Sequence, residues 1–280
     1  MKPKFYTCKY DKAFKEIMLK KENFNILKSV LETILETKIK EIKLQPLNLT
    51  NNNIHIKGKE VDLLITTDIG KIEVEVNTYY RDYVKPRNFC YISNIYSNQI
   101  SSGETYNEEV EVIQINLNYN IKDNKKMRIY KVRDEEGKEY IKNFRIYEIN
   151  MEKYKEMWYD KKEKEIDKYK YLIMLDMEVK EIKTLPVDKV VEEYMDKIEK
   201  LNEDPIFINW ISKEEDERKI RNTELSLAKE EGIKEGIEQG IEQGINTGKK
   251  ELINSMIKNG ISIEEISKLT GLSIDEISKL

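Results

Sequence analysis

The sequence predicts an α/β protein, with a mixed sheet and its helices followed by a mainly helical C-terminal extension. Three observations support this fold class. Apolar residues recur at helical spacing over residues 9–40, polar and apolar side chains alternate in several short segments over residues 41–150, and a charged helical pattern follows Met151. The first 150 residues give the element order α-β-β-β-α-β with an added hairpin.

The N-terminal elements follow from local patterns. Residues 9–40 predict one or two helices with a break near Glu22 and Asn23, and residues 41–49, EIKLQPLNL, alternate as a first strand. Asn51 to Asn53 mark a turn. Two further strands, IHIKGKEVDLLITT and KIEVEVN, flank the hairpin signal Asp68-Ile69-Gly70.

The second half of the predicted core begins with a helix. Pro86 suits the first turn of a helix that runs to about Ser101, in which Phe89, Ile92 and Tyr96 are assigned to the core. Residues 109–119, EVEVIQINLNY, alternate as another strand. The following segment predicts a hairpin that turns at Asp134 to Gly137.

The C-terminal half is expected to contain three parts after a core at residues 1–150. A helical extension covers residues 151–222, a helix with glycine and isoleucine every four residues covers 223–250, and a tail resembling a helix-turn-helix covers 251–280. Each interior glycine costs a helix about 0.8–1 kcal/mol relative to alanine. This favours packing of a second helix, from a partner subunit, on the glycine face, and the alternative is a flexible, partly helical linker.

The tail is assigned to assembly or partner contact rather than to DNA reading. Ser262 with Glu265 and Ser273 with Glu276 fit capping boxes at the starts of two short helices. The second of these helices is short and acidic, with Lys279 as its cation, which is unsuited to a recognition helix.

Composition limits the chemistry. The 280 residues contain two cysteines and one histidine, His55, which excludes Cys/His zinc sites and leaves carboxylates as the expected catalytic groups. No segment is long and apolar enough for a membrane span and no signal peptide is evident, so we expect a cytoplasmic protein without membrane contact.

Charge is distributed unevenly along the chain. The net charge is −4, yet residues 1–100 contain 17 Lys and Arg against 12 Asp and Glu. A basic N-terminal part suits contact with phosphates, and the alternative is ordinary surface charge.

Two carboxylates on neighbouring strands form the candidate site. In KIEVEVN, Glu73, Glu75 and Asn77 share one face of the strand, and the hairpin brings Asp62 of the preceding strand close to Glu75. Oxygen ligands of this kind suit Mg²⁺, which activates water and polarises phosphodiesters. The alternative is an exposed hairpin face with ordinary charges. Glu73 is expected to be a bystander nearer the rim.

Several motifs carry a resemblance to a known family. They are D-x-x-F-K, D…E-x-Q, a helix pattern R-x3-Y-x4-Y-x2-Q-x3-G-x2-Y, and tail repeats E-G-x-x-E-G. They correspond here to Asp11 to Lys15, Asp62 with Glu75-Val76-Asn77, Arg87 with Tyr91, Tyr96, Gln99, Gly103 and Tyr106, and Glu231-Gly232 with Glu235-Gly236. Over most of its length the chain resembles the PD-(D/E)XK nuclease superfamily, and within it the recombination-promoting nuclease and putative transposase family.

The resemblance implies a restriction-endonuclease-like core and a metal-dependent site. Asp62 and Glu75 would be the metal ligands, and Asp11 a further acidic member. Asn77 departs from the superfamily's lysine, which helps to deprotonate the attacking water, and from the family's glutamine. Lys71, at the near end of the same strand face, is a candidate for the missing lysine.

The helix after the strand could contact DNA. Arg87, Tyr91, Asn94 and Asn98 lie on one helical face, where Arg87 could hold a phosphate and Tyr91 the backbone. In the alternative, Arg87 pairs with an acidic side chain of the core and Tyr91 packs against the sheet.

The function predicted from these features is that of an endodeoxyribonuclease, a hydrolase that uses Mg²⁺ or Mn²⁺ and acts in recombination, transposition or mobile-element biology. Its partners would be DNA and a second copy of the chain, bound through residues 224–280. The alternative is a catalytically weak or inactive family member that acts as a DNA- or protein-binding oligomeric module.

Overall fold

The computed structural model describes residues 4–49, 59–99 and 110–279, and the chain divides into two compact units, Met1–Asn209 and Trp210–Leu280. The boundaries expected at residues 150, 222 and 250 stay predictions. The turn predicted at Asn51 to Asn53, His55, and the motif residues Gly103 and Tyr106 lie outside the described residues.

Two helices begin the first unit. Helix α1 spans Asp11–Met18 and α2 spans Phe24–Leu35, joined by a 3-10 turn at Lys21–Asn23. The predicted break is confirmed, and Asn23 stabilises it because its side-chain amide donates to the carbonyl of Ile17 at 2.8 Å. The apolar stripes of both helices are buried.

The described strands form a six-stranded sheet and a separate pair. They are β1 (Ile42–Leu44), β2 (Asn48–Leu49), β3 (Lys59–Glu60), β4 (Leu63–Thr67), β5 (Gly70–Asn77), β6 (Val112–Asn118), β7 (Met127–Arg133) and β8 (Glu139–Asn150). The sheet order is β1-β4-β5-β6-β8-β7, and β2 pairs with β3. Strand β6 is parallel to β5 and to β8, and the remaining pairs are antiparallel, so the predicted mixed sheet is confirmed. The segment predicted as a first strand is divided at Pro46.

The hairpin between β4 and β5 depends on one glycine. Gly70 has a φ of +136°, and a Cβ atom there would lie 2.3 Å from the carbonyl oxygen of Glu111. Both the backbone conformation and the close approach of a neighbouring strand therefore require glycine at this position. The predicted hairpin is confirmed, with Leu64 opposite Glu73.

Helix α3 (Val84–Ser97) follows β5 and contacts β5 and β6. Ile92 and Ile95 are buried in a cluster with Val112 and Phe144 of the sheet. The assignment of Phe89 to the core is wrong, because its side chain is 54% exposed.

Four α-helices follow β8: α4 (Met151–Tyr159), α5 (Glu163–Ile173), α6 (Val179–Ile182) and α7 (Lys189–Glu203). Helices α5 and α7 pack on α2. Asn202 of α7 accepts a hydrogen bond from the amide of Tyr6 at 2.7 Å and donates to its carbonyl at 3.0 Å, which joins this region to the start of the chain.

The remaining helices are α8 (Pro205–Lys258), α9 (Ile263–Thr270) and α10 (Ile274–Ser278). The period-four segment is continuous helix within α8, and a Cβ atom at any of its five glycines would contact nothing within 4 Å. Ser262 caps α9, and Ser273 forms a reciprocal capping box with Glu276. Within the described part of the chain, no helix has the length and apolar character needed to cross a membrane.

Candidate active site

A buried polar face lies on the sheet beneath α3. Parallel pairing of β5 with β6 sets three polar residues of each strand side by side, and side chains two residues apart share a face. The members of this polar face are all at most 4% exposed: Glu73, Glu75, Asn77, Gln114, Asn116 and Asn118. Buried polar groups require partners, so the hydrogen bonds of this face define the site.

Asp62 and Glu75 hold each other in place. Asp62 lies immediately before β4, and its backbone amide donates to Oε1 of Glu75 at 3.1 Å. In return, Oδ2 of Asp62 accepts a hydrogen bond from the amide of Val76 at 2.9 Å. The structure thus brings together the two carboxylates that the hairpin pattern placed on neighbouring strands.

Lys15 of α1 supplies a cation to this pair. Its ammonium lies 3.1 Å from Oδ1 of Asp62 and 3.4 Å from Oε1 of Glu60. Burial acts to lower the pKa of Lys15, but the nearby carboxylates of Asp62 and Glu60 together outweigh burial and raise it. Lys15 was not assigned to the site from the sequence, although it ends the D-x-x-F-K motif that could have signalled it. Lys71, the candidate from the sequence, lies at the hairpin end of β5 opposite Thr66.

Asp11 lies at the first residue of α1, at the periphery of the site. Its charge is close enough to Asp62 to raise the pKa of that carboxyl group. A role for Asp11 as a further acidic member of the site stays a prediction.

Arg87 contacts Glu75, the second carboxylate of the acidic pair. Its Nη2 atom donates to Oε2 of Glu75 at 3.2 Å and to Oδ1 of Asn77 at 2.7 Å, and its Nε atom donates to Asn88. Tyr91 lies next to the guanidinium, and the distance from Cζ of Arg87 to the centroid of the Tyr91 ring is 5.8 Å. This geometry matches the alternative in which Arg87 pairs with an acidic core side chain, and contact of Arg87 and Tyr91 with DNA phosphates stays a prediction.

Both the oxygen and the nitrogen of the Asn77 side-chain amide form hydrogen bonds. Besides accepting from Arg87, it donates through Nδ2 to Oδ1 of Asn118 at 2.8 Å. Its side chain is therefore held within the protein, where the superfamily's lysine would face the reacting water.

The network continues across β6 to Glu148 of β8. Asn88 donates to Asn116 at 2.7 Å, and Asn116 and Asn118 donate to the two carboxylate oxygens of Glu148 at 2.9 and 2.6 Å. The sequence interpretation missed these residues. The alternation in VIQINLN repeats the phase of KIEVEVN and was the available signal.

Burial has the largest effect on the pKa values of the carboxylates of the site, although Lys15 lies beside Asp62 and Arg87 beside Glu75. Burial, followed by the nearby Asp62, raises the pKa of Glu75 to about 8, and burial also raises the pKa of Asp62 against the opposing effect of Lys15. Glu73 is fully buried beside Glu75 and Gln114, and neither of its oxygens forms a hydrogen bond of standard geometry. Its expected position as a bystander near the rim is wrong, and burial raises its pKa well above the ordinary value.

The donor set suits a hard divalent cation. Among the described residues, no group of three or more His, Cys, Asp and Glu side chains has an arrangement that could hold a metal ion. Mg²⁺ requires less from a protein, since one or two carboxylates suffice when water and substrate oxygens complete its shell. Asp62 and Glu75 are two carboxylates of this kind, and Glu73 lies on the same strand face as Glu75.

A comparison with known protein families identifies the family of this chain. The family model described as PD-(D/E)XK nuclease family transposase matches residues 8–229. The chain belongs to this family. The match includes the whole sheet and the polar face of this PD-(D/E)XK protein, and membership supports a role related to nucleases and transposition, with DNA as the substrate class and divalent metals as the usual cofactors. No curated protein and no solved structure matches the chain.

Proposed function

We propose that this protein is a metal-dependent DNA endonuclease that hydrolyses phosphodiester bonds in recombination, transposition or mobile-element biology. The observation that carries the proposal is the interlocked pair of Asp62 and Glu75 with the Lys15 ammonium 3.1 Å from Asp62, in a member of a nuclease family.

Asp62 and Glu75 would hold Mg²⁺ or Mn²⁺. Such an ion, when bound, polarises a phosphodiester oxygen and lowers the pKa of water. Lys15 keeps its proton because its pKa is raised, so it acts as a hydrogen-bond donor that orients the attacking water or stabilises negative charge on the phosphate. It takes the place of the lysine that the superfamily carries where this chain has Asn77.

Arg87 would meet the substrate from the open side. Its side chain is 38% exposed, whereas that of Glu75 is 4% exposed, so the guanidinium lies between the buried carboxylate and solvent. A phosphate approaching this edge can be held by two hydrogen bonds, with Tyr91 against the backbone. Asp11 adds negative charge beside Asp62.

Cleavage of plasmid DNA tests the proposal. Purified protein with Mg²⁺ or Mn²⁺ is expected to nick or cut, and Asp62→Ala and Glu75→Ala are expected to reduce cleavage to background. Glu41→Ala is the matched control, because the Glu41 side chain is 71% exposed in its pair with Lys43. Glu75→Gln tests the charge while keeping the side-chain volume. Metal-dependent cleavage that survives both alanine substitutions would contradict the proposal.

A second candidate function rests on Asn77. Because both sides of its amide are bonded within the protein, the chain could instead be a weak or inactive family member that acts as a binding module. Calorimetric titration with Mg²⁺ and Mn²⁺ separates the two functions. A nuclease should show a heat of metal binding that Glu75→Gln abolishes, whereas a binding module should show no such heat.

Assembly through residues 224–280 is the remaining part of the proposal. Ile233, Ile237, Ile241 and Ile245 are 52–58% exposed along α8 beside glycines that leave room for another helix. Sedimentation should show a homo-oligomer for the full chain, and Ile237→Glu should shift it toward monomer. An unchanged distribution with Ile237→Glu argues against this interface.

A further inference from the structure

An open groove of about 390 Å³ lies between α3 and strands β6, β7 and β8. Phe89 of α3 and Phe144 and Ile146 of β8 contribute apolar lining. The rings of Phe89 and Phe144 meet edge to face, with centroids 6.3 Å apart. The volume falls in the range of sites for small organic groups, which are largely apolar with a few polar contacts.

Two lysines and a third aromatic ring, that of Tyr130, also line the groove. Lys85 and Lys131 are exposed lining residues, and the ammonium of Lys85 lies 5.7 Å from the centroid of the Tyr130 ring. Tyr130 is 42% exposed and Phe89 is 54% exposed. Exposed rings beside lysines are the combination with which proteins bind single-stranded nucleic acid, because every base can stack and every phosphate is anionic.

The inner wall of the groove is continuous with the candidate active site. Gln114 and Glu148 line it and also belong to the hydrogen-bond network of Asn116 and Asn88, which reaches Arg87 and Glu75. This buried network thus connects a wall of the groove with the acidic pair. The carboxylate of Glu148 can accept hydrogen bonds from an amino group of a base.

We propose that this groove binds an unstacked nucleobase with an exocyclic amino group, from the DNA strand that is held at Asp62 and Glu75. The inference rests on the proposed nuclease function. The base stacks on Phe89 and Tyr130, its amino edge faces Glu148, and its phosphate lies near Lys85.

A single-stranded oligonucleotide with one 2-aminopurine tests this directly, titrated in EDTA so that no cleavage occurs. Stacking on the aromatic rings is expected to change 2-aminopurine fluorescence on binding. Phe89→Ser should weaken binding about 5- to 100-fold, in line with the loss of one base stack. Tyr140→Ser is the matched control, since Tyr140 is 83% exposed on the same strand as Phe144 and does not line the groove.

Two further measurements test the phosphate and the base edge. Lys85→Gln should lower the slope of log affinity against log salt by about 0.7, the value for one phosphate contact of a single strand. An oligonucleotide of thymine alone, which has no exocyclic amino group, should bind more weakly than one of adenine. Equal affinity for both would overturn the role of Glu148, and Phe89→Ser binding as tightly as Tyr140→Ser would overturn the groove assignment.

The outcomes for the groove and for catalysis are distinguishable. Binding that depends on Phe89 without cleavage in Mg²⁺ or Mn²⁺ would support the groove and contradict the nuclease proposal. Cleavage that depends on Glu75 while Phe89→Ser leaves binding unchanged would support the nuclease and overturn the groove.

Discussion

The ammonium of Lys15 lies 3.1 Å from Oδ1 of Asp62, so helix α1 places a cation against an acidic pair that the β4–β5 hairpin assembles. On the opposite side Arg87 bonds to Glu75. Two cations from two helices thus flank the two carboxylates that the hairpin brings together.

Lys15→Ala should lower the cleavage rate about 100-fold or more, because one preorganised donor at a reacting centre contributes on this scale. Metal binding in calorimetry should persist, since Asp62 and Glu75 remain. Lys20→Ala is the matched control, as Lys20 is half-exposed and pairs with Glu16 at 3.3 Å. Wild-type cleavage by Lys15→Ala would exclude a catalytic role.

Arg87→Ala should lower the free energy of unfolding by about 1–3 kcal/mol, because it leaves the buried carboxylate of Glu75 without its cation. Urea denaturation in EDTA at about pH 9, where Glu75 with its pKa of about 8 is ionised, measures this loss. In a Glu75→Gln background the loss should be smaller, and Arg81→Ala, at an exposed arginine, should have little effect. Equal losses from Arg87→Ala in both backgrounds would show that the pair is not coupled.

Asn77→Lys should not restore a stronger nuclease. The new ammonium would replace the Asn77 oxygen that accepts a hydrogen bond from Arg87 at 2.7 Å. Two cations would then meet at a position where the present residue, Asn77, is only 4% exposed. We expect a loss of stability of about 1–3 kcal/mol and no increase in plasmid cleavage. Asn77→Gln, which keeps the amide, is the control. Faster cleavage by Asn77→Lys would disprove this expectation.

Glu73→Met should raise the free energy of unfolding in the absence of metal by about 1–3 kcal/mol. The glutamate is fully buried without a hydrogen bond of standard geometry, and an apolar side chain of similar length removes the cost of burying its carboxyl group. Urea denaturation provides the measurement, with the exposed Glu41→Met expected to lie within about 0.5 kcal/mol of wild type. A less stable Glu73→Met protein would indicate that Glu73 has a partner in solution.

The ionisation of Asp188 should make the free energy of unfolding decrease as the pH falls into the acid range. It caps α7 by accepting from the amides of Val190 and Val191 at 3.1 and 3.0 Å. Partial burial acts to raise the pKa of Asp188, but hydrogen bonds from Lys170 and Tyr171 outweigh it and lower the pKa to about 2.

Because this pKa is depressed in the folded state, the stabilisation by Asp188 is present above its ordinary pKa and is lost as the pH falls toward about 2. Asp188→Ala should cost about 1 kcal/mol at pH 7 and progressively less below about pH 4. Denaturation curves at several pH values measure the difference, and a constant cost down to pH 2 would contradict the role of the charge.

The sequence by itself determined the features that depend on neighbouring residues. The two N-terminal helices, the hairpin at Gly70 and the alternation of β5 follow from helical spacing, turn chemistry and the two-residue period of a strand. The meeting of Asp62 with Glu75 belongs to the same class, because a short hairpin leaves little freedom in how its strands pair.

Tertiary structure alone decided which distant residues join that pair. Parallel pairing of β5 with β6 places Asn116 and Asn118 beside the acidic pair. Helix α3 packs over the polar face that contains Glu73, and helix α1 places Lys15 next to Asp62. Each depends on how separate elements pack together, and the alternation of one strand cannot reveal whether a helix will cover its polar face. The sequence therefore located the carboxylate pair, whereas only the packing of the helices determined its cations and its burial.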